Sequence, residues 1–161
     1  QGKMISKILI AVEDLYFIDA IETFVSQLKT TGEGPALKVL HVIDPQEAVY
    51  AWPSTEYRKE AEALLVSVTD RLGKKFPDLH VEGLLREGYV KEEIVEEAKL
   101  WSADLILMGP HGKKGIDKFL LGSVAKAVVP LAPCSVVLLR AFKDKVSTAT
   151  PSAAETQASH L

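Results

Sequence analysis

The chain has 161 residues, 47% of them hydrophobic and 25% charged, enough apolar material for one globular domain with a sizeable core. Its formal net charge of -3 lacks the basic footprint of a general nucleic-acid or membrane-surface binder. A single cysteine, Cys134, excludes an internal disulfide, and with no bilayer-length apolar run and no signal peptide the expectation is a reducing, cytoplasmic compartment.

Residues 5–12 read as an apolar strand broken only by Ser6 and Lys7, and a run without alternation predicts burial on both faces, as in a parallel sheet. Glu13 and Asp14 follow at its carboxyl end, where open α/β sheets bind ligands. Asp14 is expected to cap the next helix. Glu13 suits a first helical turn and a ligand contact equally. Residues 15–28 read as that helix, with Ile18, Ile21, Phe24, Val25 and Leu28 on one face, ended by Gly32-Glu33-Gly34-Pro35. Residues 36–43 form the second strand, which Asp44-Pro45 stops. A loop holding Tyr50, Trp52 and Pro53 follows, its aromatics expected to pack on the edge of the core. Residues 55–75 read as a long helix with Ala61, Leu64, Leu65, Val68 and Leu72 on one side. Residues 79–85 alternate at first as an edge strand does, and Glu87-Gly88 turns the chain. Residues 91–99 are helical, with Ile94, Val95 and Ala98 inward and the Glu92, Glu93, Glu96, Glu97 run as a solvated face. Trp101 is expected to cover the end of that helix.

The next stretch carries the chemistry. After the buried strand 104–107, apolar beyond its acidic first residue, glycines fall at Gly109, Gly112 and Gly115, and Gly122-Ser123 opens a helix. Glycine lets backbone N–H groups approach an anion, and a helix start adds unpaired N–H groups and the positive end of the dipole. Ser123 is a natural N-cap whose hydroxyl could instead bond a phosphate oxygen. The spacing matches neither the P-loop nor the dinucleotide fingerprint. Turn and cap roles explain isolated glycines equally well. Pro110 removes one N–H donor, and Lys113, Lys114 and Lys118 default to solvent. His111 could hydrogen-bond a phosphate, but with no carboxylate beside it in sequence it is weak evidence for catalysis. No cluster has diagnostic metal-ligand spacing.

Residues 135–139, opening on Ser135 and closing on Leu139, form an apolar fifth strand; at a sheet edge it would be covered by the same strand of a second copy, predicting a homodimer. The apolar setting of Cys134 beside it favours a small buried residue over a reactive thiol. Residues 143–161 are rich in Ser, Thr and Ala and read as a flexible tail to a single domain over 1–142. The alternation of strands and helices predicts an α/β fold with a parallel sheet, in which a switch of strand order would bring Glu13 and the glycine stretch to one crevice.

Five segments resemble the universal stress protein family: Ile8-Leu9-Ile10-Ala11-Val12, Leu40-His41-Val42-Ile43, Arg86-Glu87-Gly88, Ala103-Asp104-Leu105-Ile106-Leu107-Met108-Gly109, and Gly122-Ser123-Val124-Ala125. The spacing Gly-x2-Gly-x9-Gly-Ser is that of the family's ATP-binding branch, and the resemblance covers residues 4–140. It implies an open five-stranded parallel sheet of order 3-2-1-4-5, with helices on both faces and dimers paired through the last strand. It also implies that Ala11 and Glu13 hold the adenosine and that Val42 touches the adenine. Met108, Gly109, His111 and Gly112 would line the ribose and phosphates, and Gly122, Ser123, Val124 and Ala125 would close around the phosphate tail. Mg²⁺ or Mn²⁺ would ride on the phosphates of ATP. The family usually has Asp where this chain has Glu13, and the extra methylene moves the carboxylate by about one bond length.

Three functions follow for comparison. The first is a nucleotide-dependent stress or regulatory dimer with at most slow ATP hydrolysis. The second is a dimeric scaffold of the same fold that has lost nucleotide binding, motivated by Glu13 and Pro110. The third, an enzyme acting on the α-phosphate of an adenylate, lacks its His-x-Gly-His and Ser-Gly-Gly signatures here.

Overall fold

Strands too apolar for solvent on either face need helices on both sides. The computed structural model describes residues 4–28, 32–50, 54–112 and 121–141, and it has this layering. In chain order the elements are β1 (Lys7–Ala11), α1 (Ile18–Gln27), β2 (Ala36–Ile43), α2 (Pro45–Tyr50), α3 (Ser54–Lys75), β3 (Val81–Glu87), α4 (Val90–Leu100), β4 (Leu105–Met108), α5 (Ser123–Leu131) and β5 (Ser135–Leu138). The sheet order is β3-β2-β1-β4-β5, with every pairing parallel.

Alternate residues of each strand feed opposite faces. Ile8, Ile10, Leu37, Val39, Leu105 and Leu107 pack against Ile18, Ile21 and Val25 of α1 and Val68 and Leu72 of α3. Leu9, Leu40, Val42, Ile106 and Met108 pack against Ile94, Val95 and Ala98 of α4 and Ala125 and Val128 of α5. β1 lies at the centre, where Ile8, Leu9 and Ile10 are fully buried. From β1 the chain goes to β2 on one side and later to β4 on the other, so the carboxyl ends of β1 and β4 flank the switch point.

One polar contact ties the amino-terminal end of β1 to that of β4. Asp104 Oδ2 accepts from the N–H and hydroxyl of Ser6, at 2.9 and 2.8 Å, and from the N–H of Lys7 at 3.0 Å. Asp104→Ala is expected to lower stability by about 2 kcal/mol, read as a shifted urea midpoint with an unchanged slope.

The structure corrects several expectations. Asp14 does not cap α1. Its Oδ1 accepts the N–H of Tyr16 at 2.7 Å, closing a turn that delays the helix to Ile18, with Phe17 at the N-cap. The loop expected after Asp44 begins as α2: Asp44 Oδ1 accepts from the N–H of Gln46 at 2.8 Å, and Pro45 occupies the first helical position. Leu79 lies ahead of β3, in a turn closed by its N–H on the Phe76 carbonyl at 3.0 Å. Ser123 is the first residue of α5, and Gly122 is the cap. Cys134 is half-buried against the α4–α5 face.

The glutamates of α4 are not uniformly solvated either. Glu97 is 7% exposed. Its Oε1 accepts from Lys38 Nζ of β2 at 2.9 Å, and its Oε2 from Arg86 Nη1 of β3 at 2.9 Å. Arg86 Nε also meets Glu93 at 2.7 Å, Lys38 meets Glu82 at 3.1 Å, and the Lys38 ammonium sits 4.5 Å from the centre of the Trp101 ring. Trp101 does cap α4, as expected. Trp52, Pro53, the side chain of Tyr50, residues 113–120 with their three lysines and Gly115, and the expected tail 143–161 lie outside the described residues.

Candidate functional site

At the carboxyl end of the sheet a cleft of about 680 Å³ opens over the switch point. All eleven residues expected at the site line it: Ala11, Glu13, Val42, Met108, Gly109, His111, Gly112, Gly122, Ser123, Val124 and Ala125. The acidic tip after β1 and the glycine bend after β4, separated by almost a hundred residues, therefore share one cavity.

Backbone hydrogen bonds hold the parts in place. The Val12 N–H donates to the Leu40 carbonyl at 3.0 Å, continuing the β1 direction up to Glu13. The Val12 carbonyl accepts from His41 Nδ1 at 2.7 Å. The Gly122 N–H donates to the Pro110 carbonyl at 2.7 Å, fastening the start of α5 onto the glycine bend. The Gly122 carbonyl accepts the N–H of Lys126 at 3.0 Å, which leaves the N–H groups of Ser123, Val124 and Ala125 as the helix's unpaired first turn beside the cleft. That turn and the bend offer an anion backbone donors and the positive end of a dipole.

The protein's own atoms also crowd the glycines at 109, 112 and 122. A Cβ on Gly109 would overlap the Phe17 ring; one on Gly112 would stand 2.8 Å from Glu13 Oε2; one on Gly122 would stand 3.1 Å from the His111 Cα. Phe17 meets the His111 ring edge-on, centroids 5.8 Å apart. His111 Nδ1 lies 2.8 Å from the Gly112 carbonyl, which can only accept, so the proton is on Nδ1.

The opposite wall was not foreseen from sequence. Asp44, Glu47 of α2 and Tyr57, Glu60, Ala61 and Leu64 of α3 line it. The Tyr57 hydroxyl donates to Glu47 Oε2 at 3.2 Å. Burial and the carboxylates of Glu47, Asp44 and Glu13 push the Tyr57 phenol above its ordinary value, keeping it a donor. The spacing of Tyr57, Glu60, Ala61 and Leu64 is that of one helical face, the signal that would have found them. Among the described residues no group of His, Cys, Asp or Glu is arranged to hold a metal ion, and no helix is long and apolar enough to cross a membrane.

A model of the universal stress protein family matches residues 4–140. The universal stress protein of Methanothermobacter thermautotrophicus is 31% identical over 150 residues, spanning 86% of this chain and 97% of its own. Among solved structures, the hypothetical protein MJ0577 superposes with a TM-score of 0.73 at 25% identity, over 88% of this chain and 100% of its own. The universal stress protein of Archaeoglobus fulgidus in complex with dAMP gives a TM-score of 0.62 at 20% identity, over 85% of this chain and 100% of its own.

Proposed function

Since the chain belongs to the universal stress protein family, we propose that its cleft binds an adenine nucleotide, ATP in the first instance, and that the protein acts as a nucleotide-dependent regulatory dimer. The observation that carries this reading is the convergence of the glycine bend and the first turn of α5 on one cavity with Glu13 and Val42. Backbone N–H groups there would take the phosphates, and the apolar floor of Val42 and Met108 would take the flat base. The nucleotide's own phosphates and water would hold any Mg²⁺ or Mn²⁺, because the described residues offer no cage. The Archaeoglobus fulgidus neighbour, a complex with dAMP, is consistent with a purine nucleotide in this fold.

The dimer would form through β5, an edge strand whose Val136, Val137 and Leu138 are only half-buried, with Val129 and Leu131 of α5 exposed nearby in the chain.

Calorimetry with ATP tests the nucleotide reading, with Ser123→Asp as the control. Aspartate in the first turn favours the helix and repels a phosphate. Wild type should release heat on titration, and Ser123→Asp should lose at least about tenfold in affinity with an unchanged thermal midpoint. A wild-type chain that gives no heat with ATP, AMP or dAMP refutes the reading.

A further inference from the structure

His111 holds one proton in a fixed place, and that decides how its ring can meet a phosphate. The ring lines the cleft, half-buried, with Phe17 edge-on to it at 5.8 Å between centroids. Nδ1 lies 2.8 Å from the Gly112 carbonyl, an acceptor, so Nδ1 carries the proton. A neutral ring in this tautomer has only a lone pair at Nε2. An ionised phosphate oxygen also only accepts, so Nε2 can bond it only after gaining a proton of its own. Moving the existing proton from Nδ1 to Nε2 is no remedy. It breaks the Gly112 bond and sets a nitrogen lone pair against the carbonyl oxygen.

We infer that nucleotide binding in this cleft is coupled to uptake of a proton at His111 Nε2, so that occupancy rises as pH falls. The inference rests on the nucleotide reading above and deepens it, naming a regulator of the same site. Phosphate and imidazolium stabilise each other through a charge-assisted hydrogen bond. The complex therefore holds the proton more tightly than the free protein does. Its contribution to affinity is complete in acid and is lost as pH rises. Other charges face the same ring. The turn that supplies Phe17 also carries Glu13, Asp14 and Tyr16, and Glu13 Oε2 stands 2.8 Å from the position of a Gly112 Cβ. From α5 come the positive end of the helix dipole and Lys126. Asp44, Glu47, Tyr57 and Glu60 stand on the opposite wall. Lys113, Lys114 and Lys118 follow in the chain, outside the described residues. All of these groups remain when His111 alone is replaced, so the difference between wild type and a His111 variant isolates the ring.

The test is calorimetric titration of wild type, His111→Asn and His111→Gln with ATP, from about pH 6 to about pH 8, in buffers of differing ionisation heat. The asparagine amide nitrogen replaces Nδ1 and leaves nothing at Nε2; the glutamine amide nitrogen stands near Nε2 as a donor that never titrates. The titration of ATP itself is common to all three proteins and cancels in the comparison. Across the range wild type should lose about threefold more affinity than either variant, and it should take up more protons per nucleotide bound. With saturating Mg²⁺, which removes the nucleotide's own titrating proton from this range, wild type should still take up protons. That arm decides the question even where a variant fails to fold. Equal pH slopes in wild type and variants, or wild-type binding of Mg²⁺-saturated ATP without proton uptake, overturns the inference and leaves nucleotide binding standing. If wild type binds no ATP at any pH, the nucleotide reading itself falls, and this inference with it.

Discussion

Glu97→Ala is expected to lower the unfolding free energy by about 3 kcal/mol, far more than alanine at its neighbour Glu92. The reason is what the substitution leaves behind. Lys38 and Arg86 both donate to Glu97, and the Lys38 and Glu97 side chains are only 14% and 9% exposed. Removing the carboxylate strands two cations under α4 with only part of their compensation, Glu82 for Lys38 and Glu93 and Glu96 for Arg86. Urea titration of both variants measures the difference, and equal midpoints for Glu97→Ala and Glu92→Ala would refute the account. A second signature lies in alkali. Burial pulls the Lys38 ammonium down, but hydrogen bonds from Lys38 to Glu97 and Glu82, and their charges, leave it above the ordinary 10.5. A raised folded-state value means the folded protein holds this proton more tightly. That stabilisation is complete below pH 10.5 and drains away as pH rises through the folded-state value. Tyr57, raised above 10.0, contributes with the same sign. Glu97→Gln should therefore lose less stability than wild type as pH rises through and above 10.5.

Gly109→Ala carries the second large effect, about 2–3 kcal/mol of destabilisation from one methyl group. The added Cβ would overlap the Phe17 ring, and Phe17 cannot swing away freely because Tyr16 and His111 both hold it edge-on. Phe17→Leu, which removes the overlapping ring atoms, should restore most of the stability lost in Gly109→Ala. The double-mutant cycle should give a coupling above about 1 kcal/mol. Additive losses would mean that Gly109 is required for its backbone alone. In the proposed function, Gly109→Ala also disturbs the cleft, so nucleotide affinity should fall with the single variant and recover in the double.

The elements legible in the sequence were those written in local periodicity. The bounds of β2 are those expected, and α3 and α4 begin and end within one residue of expectation, because their apolar spacing and flanking turn residues are unambiguous. The crevice was legible as well, since Glu13 and the glycine bend each follow an apolar strand and the strand order does the rest. The losses have identifiable physical causes. Asp44-Pro45 has the pattern of a strand end, although an Asp with Pro at the next position is also a helix start. Asp14 has the pattern of a cap, but its side chain takes a nearer N–H, that of Tyr16. Glu97 looked like its neighbours in a run of four glutamates. Its partners, Lys38 and Arg86, are 59 and 11 residues away, on strands whose adjacency only the fold creates. Tyr57 and Glu60 reach the cleft for the same reason.

The two margins of the sheet differ in kind. β3 carries Glu82, Arg86 and Glu87, the last held by Arg58, whereas β5 presents Ser135-Val136-Val137-Leu138. Filament growth by stacking sheet on sheet needs a receptive margin at both ends of every unit. Here one margin carries charge and the other is apolar, so in the proposed dimer a β5–β5 union would consume the apolar margins and leave two that resist further addition. In that dimer, the difference between the two margins of one sheet would itself cap the size of the assembly.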